Sequence, residues 1–283
     1  MPKIVIITDT DSSLPVDLAQ KHHITQVPIT IHFGEETYTT GVDINDQKLF
    51  EIVDHRKILP TTSAPPPNAF VNAYKEAFEN GAETIICICV SSKISATFNA
   101  AEAACELFPD KDIVVIDALN LCMAQGFMAL AAAEAVEKGA SKQEVIQAVE
   151  DIQKRVHVFG ALPTLKYLAM GGRMGKLAAG LADTLNIKPI LTARNGKLEL
   201  LEKVRTSKKA EQRLLELAVL STQGKKIERI AMIHVNNQAG VEKLYQQLCE
   251  MIPCPPHPIL ADFTPGLSVH AGSGVIGFVI LTD

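Results

Sequence analysis

Small polar side chains recur in this chain where an apolar run ends and a turn or helix begins. Thr8-Asp9-Thr10-Asp11-Ser12-Ser13 sets two carboxylates and four hydroxyls at the end of the first apolar run. Such a set can cap a helix or hold a metal ion. Leu14-Pro15-Val16-Asp17 follows, and a proline near a helix start favours the cap. Pro60-Thr61-Thr62-Ser63-Ala64-Pro65-Pro66-Pro67 reads as a proline-stiffened loop that is either a plain turn or a binding loop. Ser91-Ser92-Lys93-Ile94-Ser95-Ala96-Thr97 ends a strand and opens a helix, with Ser95 at the expected N-cap. Unpaired backbone N–H groups and the helix dipole suit an anion there, although capping alone would also account for the serine. Two further segments are Gly171-Gly172-Arg173-Met174-Gly175-Lys176 and His270-Ala271-Gly272-Ser273-Gly274. The first lets a sharp turn present a guanidinium, and the second is a small-residue loop that a ligand can approach closely.

Several familiar motifs fail on context. Gly272-Ser273-Gly274-Val275-Ile276-Gly277 spells GxGxxG, but it opens a strand and only six residues follow, so no βαβ unit can be built on it. The Gly171–Lys176 segment lacks the spacing of a phosphate loop. No G-x-S-x-G elbow occurs, so a serine hydrolase using Ser95 or Ser273 with His270 has ingredients without a scaffold signal. The six cysteines form no C-x-x-C pair and none has zinc-ligand spacing with a histidine. Cys87 and Cys89 alternate on an apolar strand and read as buried reduced thiols.

Composition narrows the classes. The 283 residues are 47% hydrophobic and 21% charged, as in a folded protein. Aromatics are 5% with no tryptophan, and the net charge is −5, which together argue against a nucleic-acid partner. The first apolar run reaches Asp9 too soon for a signal peptide, and no run of about 18 apolar residues could span a bilayer. A cytoplasmic protein with at most peripheral membrane contact is expected. Lys203, Arg205, Lys208, Lys209 and Arg213 form a local basic cluster, either a solvated face or a docking patch.

The elements that must position these side chains change character midway. Lys3–Thr8, Gln26–Phe33, Glu83–Val90 and Asp112–Asp117 read as strands. Ala69–Glu79, Thr97–Phe108, Leu121–Lys138 and a helix begun by the Ser141–Glu144 capping box alternate with them. This predicts a mostly parallel sheet with helices on both faces. Arg194-Asn195-Gly196 joins Lys188–Ala193 to Lys197–Val204 as a hairpin. Helices Ser207–Thr222 and Ala239–Met251 and strands Glu228–Val235, Pro258–Phe263 and Gly274–Thr282 complete an α+β half with a mixed or antiparallel sheet. The change near residues 156–165 places the domains at 1–160 and 161–283.

Taken in order, these segments resemble the DegV family of bacterial fatty-acid-binding proteins. The resemblance rests on Thr10-Asp11-Ser12-Ser13, Thr61-Thr62-Ser63 and Ser91-Ser92 with Ile94-Ser95-Ala96-Thr97-Phe98. It continues through Leu165-Lys166-Tyr167-Leu168 with Gly171-Gly172-Arg173, Ile187-Lys188-Pro189-Ile190-Leu191, Lys203-Val204-Arg205-Thr206 and His270-Ala271-Gly272. It implies an α/β domain followed by an α+β domain, with a long-chain fatty acid in a tunnel between them. Thr62, Ser95, Arg173 and His270 would hold the carboxylate, with no cofactor, no metal and no catalytic residue. A separate ATP-dependent kinase, related to dihydroxyacetone kinases, would convert the presented acid to an acyl phosphate for phospholipid synthesis. The chain departs from the family pattern at Ala96, Phe98, Ala118, Cys122, Ala124 and Ser273, which bears on tunnel width and acyl preference.

Overall fold

A computed structural model describes residues 3–173 and 187–283 of the chain. Met174, Gly175 and Lys176 of the glycine-rich segment lie outside the described residues. From the N-terminus run β1 (Ile4–Asp9), a 3-10 turn (Thr10–Ser12), α1 (Val16–Lys21), β2 (Thr25–Val27), β3 (Thr30–Phe33) and β4 (Glu36–Thr39). Next come α2 (Asp46–Arg56), β5 (Thr61–Ser63), α3 (Pro67–Glu79), β6 (Thr84–Cys89), α4 (Thr97–Cys105), β7 (Asp112–Asp117), α5 (Cys122–Glu137) and α6 (Lys142–Arg155). The second half comprises β8 (Val156–Ala161), α7 (Lys166–Met170), β9 (Lys188–Arg194), β10 (Lys197–Val204), α8 (Ser207–Thr222) and β11 (Ile227–His234). It ends with α9 (Gln238–Met251), β12 (Ile259–Asp262), α10 (Pro265–Ala271) and β13 (Ile276–Thr282).

The fold is α/β, with a parallel sheet in the N-terminal part and a mixed sheet in the C-terminal part. The parallel sheet has the order β2-β1-β6-β7, and the mixed one β10-β9-β8-β13-β11-β12. Strand β6 lies between two parallel neighbours and is buried along its whole length, as its unbroken apolar run requires. Cys87 and Cys89 share one of its faces as reduced, buried thiols, their sulfurs 3.7 Å apart. Helix α5 is buried from Cys122 to Leu130 without a polar stripe, because both sheets press on it. Its alanines let the two sheets approach. α3 and α4 cover the outer face of the parallel sheet, and α8 and α9 that of the mixed sheet.

Three sequence expectations are corrected. The single strand over Gln26–Phe33 divides at Pro28. β2 pairs with β1, whereas β3 leaves for a third sheet, β4-β3-β5. Proline has no N–H for the ladder, so the chain changes sheets there. The Pro60–Asn68 segment is not all loop, since Thr61–Ser63 pairs antiparallel with β3 and Pro67 starts α3. The His270 segment is not a loop either, because His270 lies in the last turn of α10. Two elements carried no usable sequence signal. β8 follows α6 without a turn residue, yet it is an inner strand of the mixed sheet. α2 shows only Leu49, Phe50 and Val53 as its buried apolar contacts. The Ser141–Glu144 capping box and the Asn195-Gly196 hairpin form as expected, the latter with φ values of 49° and 78°.

Gly277 of β13 faces Gly160 of β8. A β-carbon at Gly277 would lie 2.3 Å from the Phe159 carbonyl oxygen, whereas one at Gly160 would meet nothing within 4 Å. Gly277→Ala is therefore expected to destabilise the fold by about 1–3 kcal/mol. Gly160→Ala should be neutral or slightly stabilising. Urea unfolding checks both through the midpoint, with the slope unchanged.

Candidate functional site

The polar segments converge on one cavity where the carboxyl ends of β1 and β6 meet the mixed sheet, the usual place for a site in an open parallel sheet. Its volume is about 880 Å³, part of it open to solvent. Ile94 and Leu121 wall it from the N-terminal half, and Val158, Leu191, Leu198 and Ile233 from the C-terminal half. Thr62, Ser95, Arg173 and His270 all line it. Long aliphatic walls with a few convergent polar groups suit an apolar ligand with one polar end.

Each polar residue arrives by a different route. Thr62 is held by the β3–β5 ladder, opposite Ile31. Its hydroxyl lies 2.9 Å from His270 Nε2. His270 is presented by α10, whose N-terminal Pro265 cannot donate a backbone hydrogen bond. Arg173 follows α7 through two glycines with separate purposes. A β-carbon at Gly171 would sit 2.1 Å from His270 Nδ1, and Gly172 has φ of +70°. Arg173 Nη1 donates to the Gly171 carbonyl at 2.7 Å, which holds the guanidinium at the cavity mouth. Ser95 is not the N-cap, since that position falls to Ala96 and makes no side-chain cap. Ser95 Oγ instead lies 2.8 Å from Thr97 Oγ1 and accepts from the Thr97 backbone N–H at 3.3 Å.

Electrostatics leave the wall with little charge of its own. Burial, with a smaller effect of the nearby Arg173, pushes His270 down to about 4. The imidazole is thus neutral near pH 7, and its Nδ1 is buried without a partner. Arg173 brings a positive charge to the same cavity as the Thr62 and Ser95 hydroxyls, a set that suits a monoanion such as a carboxylate. Among the described residues no hydrogen bond joins His270 to Ser95 or Ser273, and Ser273 is exposed. Among the described residues no group of three or more histidine, cysteine or acidic side chains could hold a metal ion.

The first polar cluster is a structural turn. Asp9 accepts from the backbone N–H groups of Asp11 and Val90 and from Gln125. Asp11, however, also lines the cavity, as do Gly160 and Gly266, and these three were missing from the residues expected to meet a ligand. Gly160 belongs to β8, which no local sequence signal marked. Of the departures tied to tunnel width, Cys122 lines the cavity, in a left-handed backbone conformation (φ 48°). Phe98 is instead half-buried and packs against the core on the outer face of the parallel sheet, and Ala96 is exposed.

Comparison with known proteins covers the whole chain. The profile described as "Uncharacterised protein, DegV family" matches residues 3–283. Protein DegV of Bacillus subtilis is 33% identical over 277 residues, 97% of either chain. The structure superposes on a fatty-acid-binding DegV family protein from Thermus thermophilus with a TM-score of 0.93 at 29% identity, covering 99% of this chain and 100% of that one. It superposes on DegV of Bacillus subtilis, a fatty acid binding protein, with a TM-score of 0.90 at 31% identity, covering 100% of both.

The depressed His270 pKa has a signed consequence. An unfolded histidine takes up its proton near pH 6.5, whereas folded His270 does so only at about 4. This stabilisation is present above pH 6.5 and is lost as pH falls from there towards 4. In His270→Gln the acid-induced loss over that window should shrink, measured by denaturant unfolding at a series of pH values. An imidazole NMR titration with a midpoint near 6.5 would contradict the buried neutral state.

Proposed function

The chain belongs to the DegV family, and on that premise we propose that it binds a long-chain fatty acid in this cavity and presents the carboxylate to a separate kinase. DegV family proteins from Thermus thermophilus and Bacillus subtilis bind fatty acids. The observation that carries the reading over to this chain is the convergence of Thr62, Ser95, Arg173 and His270 on one apolar cavity. In this reading Thr62 and Ser95 donate hydroxyl hydrogen bonds to the carboxylate, Arg173 balances its charge, and His270 orients Thr62.

Energetics assign different tasks to tail and head. Each buried CH₂ contributes about 0.8 kcal/mol, so a tail of about fifteen supplies roughly 12 kcal/mol before association and ordering costs. The tail therefore dominates affinity, and the head group fixes orientation, since a buried carboxylate without partners would be costly. A second hollow of about 480 Å³, part of it open to solvent, adjoins the same Thr62, Arg173 and His270 and is lined further by Leu59, Pro60 and Met170. It offers a path by which a kinase active site reaches the carboxylate for acyl-phosphate formation. The protein needs no cofactor for this carrier role and is not itself an enzyme. Among the described residues no helix is long and apolar enough to cross a membrane. The reading places the protein in the cytoplasm, where the acid is handed on to phospholipid synthesis. Within the basic cluster Arg213 is ion-paired with Glu202 and Glu216, which makes exposed Arg205, Lys208 and Lys209 better candidates for kinase docking than Arg213.

Native mass spectrometry of the purified protein should reveal a co-purified fatty acid. Protein free of any lipid that also fails to take up added palmitate would refute the reading. Arg173→Ala should weaken fatty acid retention about tenfold to a hundredfold, the range of one charge-assisted hydrogen bond. An effect on thermal stability alone would instead make Arg173 a structural strut. Gly160→Leu should fill open cavity space and shift the co-purified acids towards shorter chains.

A further inference from the structure

Asp11 is a polar group that the carrier reading leaves unused. It is 5% exposed, its Oδ1 is buried without a hydrogen-bond partner, and it lines the cavity that also holds Thr62, Ser95, Arg173 and His270. The other side chains of its turn are committed elsewhere. Thr10 Oγ1 accepts from the Ile29 N–H at 3.0 Å, Ser12 Oγ from the Leu14 N–H at 3.4 Å, and Ser13 Oγ donates to the Phe263 carbonyl at 3.0 Å. Space has been left for the carboxyl. A β-carbon at Gly266 would come to 2.2 Å from Asp11 Oδ1, so a side chain there would displace the carboxyl from its present place. Native structures rarely bury a polar atom unpaired unless a ligand or water completes it.

The protonation state sets what Asp11 can offer. Burial raises its pKa well above the ordinary carboxylate range, the neighbouring Asp9 carboxyl adds to the rise, and Arg173 opposes it. Asp9 is the stronger acid of the two because Gln125 and two backbone N–H groups hydrogen-bond to it. Burial beside Asp9 therefore favours the neutral carboxyl of Asp11, the form that has an O–H to donate. A fatty acid carboxylate is an acceptor-only group, the complement of that donor.

We propose that Asp11, buried and unpartnered in the cavity wall, is a further ligand-binding residue whose carboxyl donates a hydrogen bond to the carboxylate of the bound fatty acid. This inference rests on the fatty-acid reading above. It gives the site a means of recognising head groups. A carboxylate forms a charge-assisted bond with Asp11, whereas an alcohol of the same chain length forms only a neutral one.

The test measures displacement of a fluorescent fatty acid from delipidated protein by hexadecanoic acid and by 1-hexadecanol, at pH 7. In Asp11→Leu the acid should lose about tenfold to a hundredfold in affinity, and the alcohol threefold or less. In Asp11→Asn, which keeps a donor and cannot ionise, the acid should stay within about threefold of the wild type. Equal losses for acid and alcohol, or no loss for either, would overturn the role of Asp11 while leaving fatty acid binding intact. A wild type that binds neither compound removes the fatty-acid reading and this inference together. Should the variants fail to fold, infrared difference spectra of the wild type decide the matter. With hexadecanoic acid labelled by carbon-13 at its carboxyl, an unlabelled protonated-carboxyl band that shifts on binding supports the proposal, and an unchanged band overturns it.

Discussion

An apolar cavity between two sheets persists only if the chain around it satisfies its own polar backbone. Here hydroxyls and one ammonium group from one half reach carbonyl oxygens of the other. Ser13 donates to Phe263, Thr264 to Thr10, Ser91 to Gly196 and Lys93 to Asn195. These bonds cross between the halves, so the loops at the strand ends hold the sheets together around the cavity rather than filling it. Each neutral bond is worth on the order of 1 kcal/mol, but leaving the buried groups unpaired would cost more. The hydroxyl-rich composition of the strand ends follows from this constraint as much as from any ligand.

Close approach is the second half of the same design. The Asn195-Gly196 tip sits on the Ser91 turn, where a β-carbon at Gly196 would come to 2.6 Å from Ser91 Oγ. Gly171 gives way to the His270 ring and Gly266 to the Asp11 carboxyl. At these places the missing side chain is filled by a group distant in sequence, from the other half of the molecule at Gly196 and Gly266 and from α10 of the same half at Gly171. Gly160 differs, because its missing side chain opens into the cavity. Glycine thus makes contact possible in three places and keeps space open in a fourth.

The polar end of the cavity is electrostatically spare. Burial keeps His270 neutral, and Asp11 is held towards its neutral form, so Arg173 is left as the charged side chain of the cavity lining. A site of this kind orients an anion without demanding much binding energy from it. Affinity can then come from aliphatic walls, whose contribution scales with the area removed from water.

Local pattern alone determined the alternation of strands and helices in the first half, the Asn195-Gly196 hairpin and the Ser141 cap, because each depends on neighbours within a few residues. Order along the chain, through resemblance to a family, pointed to Thr62, Ser95, Arg173 and His270, and all four line the cavity. Tertiary structure decided what no short window contains. It placed β8 inside the mixed sheet, turned the His270 segment into a helix and divided Gln26–Phe33 between two sheets. It also moved Asp11 from a helix cap to the cavity wall, next to the residues of four other segments. Burial, and with it the protonation state of a carboxyl or an imidazole, depends on what distant parts of the chain bring alongside, which is why the chemistry of Asp11 and His270 became legible only in three dimensions.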